Sequence, residues 1–341
     1  DWDRLDDRLD GNGFFDAGMQ QQVRIMAETA VGMLPAGQDN FRMISTLAAS
    51  KAEKIRGVTA FAVPAIYSGD WKAQIRELYV TGALEGTWPR ELSATILHNL
   101  IIEYGVASII PEVREWVFDP ESAVRRLVAE SFRPRGVMLA HITELKRDPS
   151  PLHDLLQPLL DDESDYVRKA VANNLNDISK DSPSVLLGWA QEWMTPAISE
   201  ARLWIMNQAL RTLVNEGNEE ALSLLGFVSP SLVHVTWEEG PPSEVEINQL
   251  IPFEFSVANL YQDRAQVILI LNMDQTGKGK NRRQSRYHLW RGTIAADVVK
   301  QVTKTIHFVD KSRQPKEQGV YRLMVSVNGH SIEERSFVFS R

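Results

Sequence analysis

WVFDPESAVRRLVAESF (116–132) and LLDDESDYVRKAVANNL (159–175) are two spellings of one unit, set 43 residues apart. Each opens on acidic or Ser residues and runs into Val-Arg-basic, as Val124-Arg125-Arg126 and Val167-Arg168-Lys169. Acids and Ser at a helix start accept from exposed N–H groups and suit the helix dipole. SEARLWIMNQAL (199–210) is a looser third copy, with Arg202 and Asn207 standing where Arg168 and Asn173 stand. Paired helices recurring every few tens of residues predict a HEAT-like α–α superhelix, an array that presents a long concave surface.

Outward from this pair, residues 14–226 read as helices nearly throughout. FFDAGMQQQVRIMAETAVGML, KAEKIRGVTAFAVPAIY and ELSATILHNLIIEYG carry apolar residues at three- and four-residue spacing, split by breakers such as PAGQDN, SGDW and RDPSP. Trp116, Trp189, Trp193 and Trp204 fall on apolar helical positions and are expected in the core. After about residue 229 the period drops to two. LVHVTWEE, IPFEFSVA, AQVILILNM, RYHLWRG, TKTIHFV, VYRLMVSVNG and ERSFVF predict seven or so short strands, an immunoglobulin-like β-sandwich by count. The expected domains are 1–228 and 229–341, a helical domain followed by a β domain.

The chain has no cysteine, which excludes disulfides, thiolate zinc sites and a Cys nucleophile, and which fits a reducing compartment. No run of eighteen apolar residues occurs, so no membrane span is expected, and the acidic DWDRLDDRLDGNG start does not read as a signal peptide. The net charge of −8 is uneven: residues 231–341 carry +3 and the remainder −11. Any polyanion site must therefore be a local patch.

Within VRKAVANNLNDISKD (167–181), Val167, Val171, Leu175 and Ile178 form one apolar stripe. Lys169, Asn173, Asn176 and Lys180 form a polar one, with Asp177 beside it. Asn and Asp are mediocre helix formers, yet four occur in five residues. Flanking lysines suit phosphates while amides reach sugar or base edges; the plainer reading is a solvated or capping set. One repeat earlier Arg126, Glu130 and Arg133 share a face at i, i+4, i+7. This is either an ordinary intrahelical ion pair or a carboxylate held between cations. Arg133-Pro134-Arg135 should end that helix, because the residue before proline is pushed out of α geometry, leaving two guanidiniums suited to phosphate.

TGKGKNRRQSRYHLWR (276–291) carries Lys278, Lys280, Arg282, Arg283, Arg286 and Arg291 with no acid, between two strands. That is a solubility loop or a polyanion contact whose binding would weaken with salt. The seven histidines are scattered, so no metal site is expected. No G-x-x-x-x-G-K-[ST] or G-x-G-x-x-G occurs, so no nucleotide cofactor is expected either.

VRRLVAESFRPR (124–135), followed by LKRDPSPLHDLLQPLLDDESDYVRKAVANNLNDISKDSP (145–183), resembles the AlkC branch of the bacterial DNA alkylation repair glycosylases. VANNLNDISKD is the most specific element; the resemblance is closest over 116–183 and extends to 230–341 through VYRLMVSVNG. It implies a HEAT-like superhelix that cradles duplex DNA. It also implies removal of cationic alkylated bases such as 3-methyladenine and 3-methylcytosine, with no metal or other cofactor and without rotating the base into a deep pocket. Glu130 stands on the family's S-E-G and Asp177 on its N-L-N-D, which makes both candidate catalytic carboxylates. Arg126, Arg133, Arg135, Lys169, Asn173, Asn176, Lys180, Lys278, Lys280, Arg282, Arg283 and Arg286 are the candidate DNA-binding residues. The resemblance further implies a bacterial cytoplasmic, nucleoid-associated monomer whose partner is double-stranded DNA containing alkylated bases. Two positions depart from the family: Met138 replaces a lesion-side Trp, and Thr95 replaces a Glu for which Glu91, one turn back, could serve. A non-catalytic DNA-binding relative and a HEAT protein-interaction scaffold stay open as alternatives.

Overall fold

The structure is a computed structural model that describes residues 53–136, 139–195, 197–276, 284–309 and 316–340, with Gln21, Ile25, Thr29, Ser45 and 47–51 ahead of them. It contains two compact units, Asp1–Ala209 and Leu210–Arg341.

From Glu53 the first unit is helical: α1 Glu53–Ile66, α2 Trp71–Ala83, α3 Thr87–Tyr104, α4 Val106–Val113, α5 Ser122–Ser131, α6 Thr143–Arg147, α7 His153–Leu156, α8 Asp165–Asp181, α9 Pro183–Trp193 and α10 Glu200–Ala209. Helices α3, α5, α8 and α10 pack in a row, each against the next. This is the stacking order of a HEAT-like array, in which every repeat buries its apolar stripe on its neighbour. The stripe Val167, Val171, Leu175 and Ile178 is fully buried there, as are Val124, Leu127 and Val128 of α5.

The Val-Arg step of the repeat staples each helix to the turn before it. Arg125 Nη1 donates to the Asp119 and Pro120 carbonyls at 2.8 and 3.1 Å, and Arg168 Nη1 donates to the Asp162 and Glu163 carbonyls at 2.7 and 2.8 Å. Arg125 also crosses to the next repeat, where Nε and Nη2 donate to Asp162 at 2.6 and 2.9 Å. The expected caps hold in part. Glu121 accepts from the Ala123 amide at 3.3 Å. Ser164 makes no side-chain cap; the Asp162 carboxylate accepts from the Ser164 amide instead. α5 stops at Ser131, ahead of Arg133-Pro134, as the proline requires. Among the tryptophans Trp193 is buried, but Trp204 is 40% exposed and stands outside the core.

The second unit begins with α11 Arg211–Glu216 and α12 Glu219–Leu224 and continues as strands. Its division from the first unit falls at 209/210, ahead of the change of period near 228. The two short helices are joined to the strands: Phe227 bridges to Gln266, and the Asn328 amide donates to the Val228 carbonyl at 2.7 Å. The strands are β1 Val233–Glu239, β2 Glu244–Val245, β3 Gln249–Asn259, β4 Ala265–Thr276, β5 Gln284–Ile294, β6 Val299–Phe308, β7 Gly319–Val327 and β8 His330–Phe339. All seven expected strands form, and the two-residue β2 is added by parallel pairing with β8. One sheet has the order β1-β3-β6 and the other β2-β8-β7-β4-β5. Both sheets feed one hydrophobic core, where Phe308 of β6 meets Tyr321, Phe337 and Phe339 at ring separations of 5.3, 5.4 and 5.1 Å.

Candidate functional site

Glu91, Arg126, Glu130, Arg133, Asp177 and Lys180 form one chain of alternating charge across three successive repeats. Arg126 on α5 donates to Glu91 on α3 at 2.6 Å and lies 3.8 Å from Glu130, one turn further along its own helix. Just past the end of α5, Arg133 donates through Nη1 to Glu130 at 2.8 Å and through Nε to Asp177 on α8 at 2.9 Å. The other Asp177 oxygen accepts from Lys180 at 2.9 Å.

Exposure is graded along this chain. Side-chain accessibility is 43% at Glu91 and 36% at Lys180, but 16% at Glu130, 9% at Arg133 and 3% at Asp177. The two ends face solvent and the middle is shielded. Burial alone would pull the Arg133 pKa down; the adjacent Glu130 and Asp177 carboxylates outweigh it and raise it, so the guanidinium stays charged.

Two aromatic and ionic features attach to this chain. The Arg126 guanidinium stacks 4.3 Å from the Tyr166 ring centroid, with Arg90 at 5.7 Å. Such stacking is worth more as the cation loses water. Tyr166 has its own phenol pKa raised, first by burial. Beyond the RPR turn, Arg135 donates to both Asp181 oxygens at 2.6 Å, and Lys146 lies 3.7 Å from the same carboxylate. The Asp181 pKa is held below the ordinary carboxylate range by the Arg135 hydrogen bonds, which outweigh burial.

The two candidate carboxylates thus come together, and so does Glu91. Two of the expected DNA-binding residues, Arg133 and Asn176, are buried. Arg126 is half-buried and paired with Glu91, and Arg133 is buried between Glu130 and Asp177, so both of these expected phosphate ligands are engaged by acids. Asn176 is buried as well. Its amide donates to the Ala209 carbonyl at 3.0 Å and ties α8 to α10, so it lies inside the repeat contact and not on a nucleic-acid face. Asn174 plays the matching part on the other side, donating to the Ala129 carbonyl at 2.9 Å. The surplus of Asn in this helix therefore reflects carbonyl groups of neighbouring helices that need donors. Asn173 is half-buried, and Lys169 is exposed and paired with Asp165 at 2.7 Å. Lys180 and Arg135 are the other cations here with substantial exposure.

Thr95 donates to the Glu91 carbonyl at 3.0 Å and sits one turn along α3 from it. In the second unit Arg286 is exposed and donates to Asn272 at 3.1 Å. Met138, Lys278, Lys280, Arg282 and Arg283 lie outside the described residues. Sequence reasoning passed over Tyr166, Arg90, Lys146 and Asp181. Tyr166 had a signal: it occupies the repeat position where the earlier copy has Ala123. Asp181 and Lys146 had none, because their pairing spans two repeats.

Comparisons with known proteins bear on the family and the fold. Residues 91–213 match the family described as DNA alkylation repair enzyme. A Bacillus subtilis (strain 168) protein described as uncharacterized protein YhaZ is 31% identical over 230 residues, which is 67% of this chain and 63% of YhaZ. The chain thus spans under two thirds of that relative. Pseudomonas fluorescens alkylpurine DNA glycosylase AlkC, solved bound to DNA containing an abasic site analog, shares the fold with a TM-score of 0.83 at 21% identity, over 97% of this chain and 90% of that chain. The chain belongs to the DNA alkylation repair enzyme family, on a fold it shares with AlkC.

Proposed function

We propose that this protein binds duplex DNA containing alkylated bases and hydrolyses the N-glycosidic bond of cationic N3-alkylated bases, 3-methyladenine and 3-methylcytosine, without deep base flipping. A base that already bears a positive charge is a good leaving group. The C1′–N bond breaks with its electron pair moving onto the base, which departs neutral. The sugar is left with an oxocarbenium-like charge at C1′; a carboxylate beside it stabilises that charge, and water adds to C1′ as its proton passes to a carboxylate. Glu130, the more accessible of the pair, takes the water and its proton, and Asp177 supplies negative charge behind it. Glu91 completes the acid set from α3. Arg135, Lys169 and Lys180, with Asn173 beside them, grip phosphates, since exposed cations can exchange a surface carboxylate for a phosphate. The segment with Lys278, Lys280, Arg282, Arg283 and Arg286 is a second polyanion contact on the strand unit.

The observation that supports this reading most is the single guanidinium shared by Glu130 and Asp177, which draws two acids from neighbouring repeats into one cluster. Work on chromosomal DNA goes with a bacterial cytoplasmic location and a monomer. Among the described residues no helix is long and apolar enough to cross a membrane. The strand unit belongs to the proposal as an immunoglobulin-like domain, a reading supported by two sheets on one core, and the period change at 228/229 is taken as the functional domain boundary.

The test is release of free methylated base from duplexes carrying 3-methyladenine or 3-methylcytosine. Release that disappears in Glu130→Gln and Asp177→Asn supports the assignment; absence of release by the wild-type chain overturns it. One observation favours a second reading, a DNA-binding relative without catalysis: both Asp177 oxygens are already engaged and Thr95 replaces the family's acid. Salt-sensitive duplex binding without base release is the outcome that belongs to it.

A further inference from the structure

His98 lies on α3 at the seventh position after Glu91, so Glu91, Thr95 and His98 follow one face at i, i+4 and i+7. It is completely buried. Its Nδ1 is 2.8 Å from the Ser131 carbonyl oxygen and its Nε2 is 2.8 Å from the Ala140 carbonyl oxygen. Both partners can only accept. A neutral imidazole has one N–H and one lone pair. In either tautomer one of the two contacts would set a lone pair against a carbonyl lone pair at hydrogen-bond distance. With a proton on each nitrogen, both contacts become charge-assisted hydrogen bonds.

The two carbonyls bracket the turn that carries Arg133 and Arg135. Its side chains are anchored by acids, Arg133 on Glu130 and Asp177 and Arg135 on Asp181, while its backbone is held more loosely among the described residues. Pro134 has no N–H, its carbonyl accepts from the Ile142 amide at 3.1 Å, and the Arg133 amide reaches the Glu130 carbonyl at only 3.4 Å. Gly136 allows the close approach: a Cβ there would lie 3.1 Å from His98 Cε1. The charged side chains on the packed elements are engaged elsewhere. Glu91 and Glu130 hold Arg126 and Arg133, Arg135 and Lys146 are on Asp181, and Glu144 of α6 accepts from the Val106 amide.

We propose that His98 is a positioning residue for the candidate site: an imidazolium that donates to the Ser131 and Ala140 carbonyls and so fixes the turn that aims Arg133 at Glu130 and Asp177. It touches neither carboxylate. Its part is to keep the guanidinium where the two acids share it, and α3 thereby reaches the cluster twice, through Glu91 and through His98. The inference rests on the proposed function only for its consequence in catalysis.

The test uses the full chain and has two activity-free readouts. In 15N spectra of the histidine-labelled protein at neutral pH, both His98 ring nitrogens should show the shifts of protonated nitrogen. One unprotonated nitrogen overturns the clamp, and this readout on the wild-type protein decides even where a variant fails to fold. In His98→Phe, which keeps a ring and loses both donors, the slowly exchanging Arg133 Nε–H signal expected of the wild type should be lost. An Arg133 signal unchanged in folded His98→Phe overturns the positioning role. In the base-release assay the same variant should lower kcat by about tenfold or more with little change in KM, as a small misplacement of a reacting group does; an unchanged kcat also overturns the role. Wild-type protein that releases no base sinks the proposed function, and the two spectra then decide His98 alone.

Discussion

Glu130 on α5 and Asp177 on α8 meet through Arg133, whose Nη1 donates to one at 2.8 Å and whose Nε donates to the other at 2.9 Å. Removing the guanidinium leaves two shielded carboxylates facing each other. Arg133→Met should therefore destabilise the helical unit by about 3–5 kcal/mol, the range for breaking a buried ion pair from one side. Urea unfolding followed by circular dichroism measures it, and a loss below about 1 kcal/mol would show the cluster to be ornamental.

Glu130→Gln and Asp177→Asn remove charge while keeping shape. On the proposed chemistry each should slow base release on the order of 10²–10³-fold, the size of a lost transition-state electrostatic contact. Affinity for a duplex containing an abasic site should stay within a few-fold. Equal losses of binding and turnover would assign both residues to holding the fold.

Arg125 and Lys169 stand one position apart in the repeat and should behave differently. Arg125 is buried against Asp162 and two carbonyls, and the Asp162 hydrogen bonds raise its pKa above the burial effect. Arg125→Ala should cost about 3–5 kcal/mol. Lys169→Ala removes an exposed i,i+4 pair with Asp165 and should leave the melting temperature where it is. Calorimetry on the two variants side by side decides.

The Arg135–Asp181 pair predicts an acid-side slope. Asp181 has its pKa depressed in the folded protein, first by the Arg135 hydrogen bonds. A depressed carboxylate stabilises at pH above its unfolded value, about 4, and that contribution is lost as pH falls through the lower folded value. Stability measured by urea unfolding between neutral pH and pH 3 should fall less steeply in Asp181→Asn than in the wild type. Parallel curves would mean that Asp181 titrates alike in both states.

In the second unit Gly217 closes α11 at φ +79°, and a Cβ there would lie 2.7 Å from the Gly329 Cα. Gly217→Ala meets both a left-handed backbone and a backbone neighbour that cannot swing aside. It should cost about 1–3 kcal/mol, whereas Gly188→Ala, where a Cβ meets nothing within 4 Å, should not destabilise. Thermal melts of the two variants provide the comparison.

How much was legible followed from the range of each interaction. Periodicity is local, so the helices of 116–181, the seven longer strands and the stop at Arg133-Pro134 could be read directly. The identity of the acids followed from the family resemblance. Which face each polar residue took did not follow. Asn176 and Arg133 look like surface ligands in a helical projection, and both turn inward because a neighbouring repeat offers a carbonyl or a carboxylate there.

The sequence by itself determined the two periods, the 43-residue repeat with its Val-Arg step, and the presence of Glu130 and Asp177 in successive repeats, though at different repeat positions. Only the tertiary structure decided that Arg133 joins them, that Arg126 is occupied by Glu91, and that His98 spans two carbonyls around the turn. The reason is that helical spacing specifies neighbours three and four residues away, while a charged group's partner across repeats depends on which side chains stacking brings within about 3 Å.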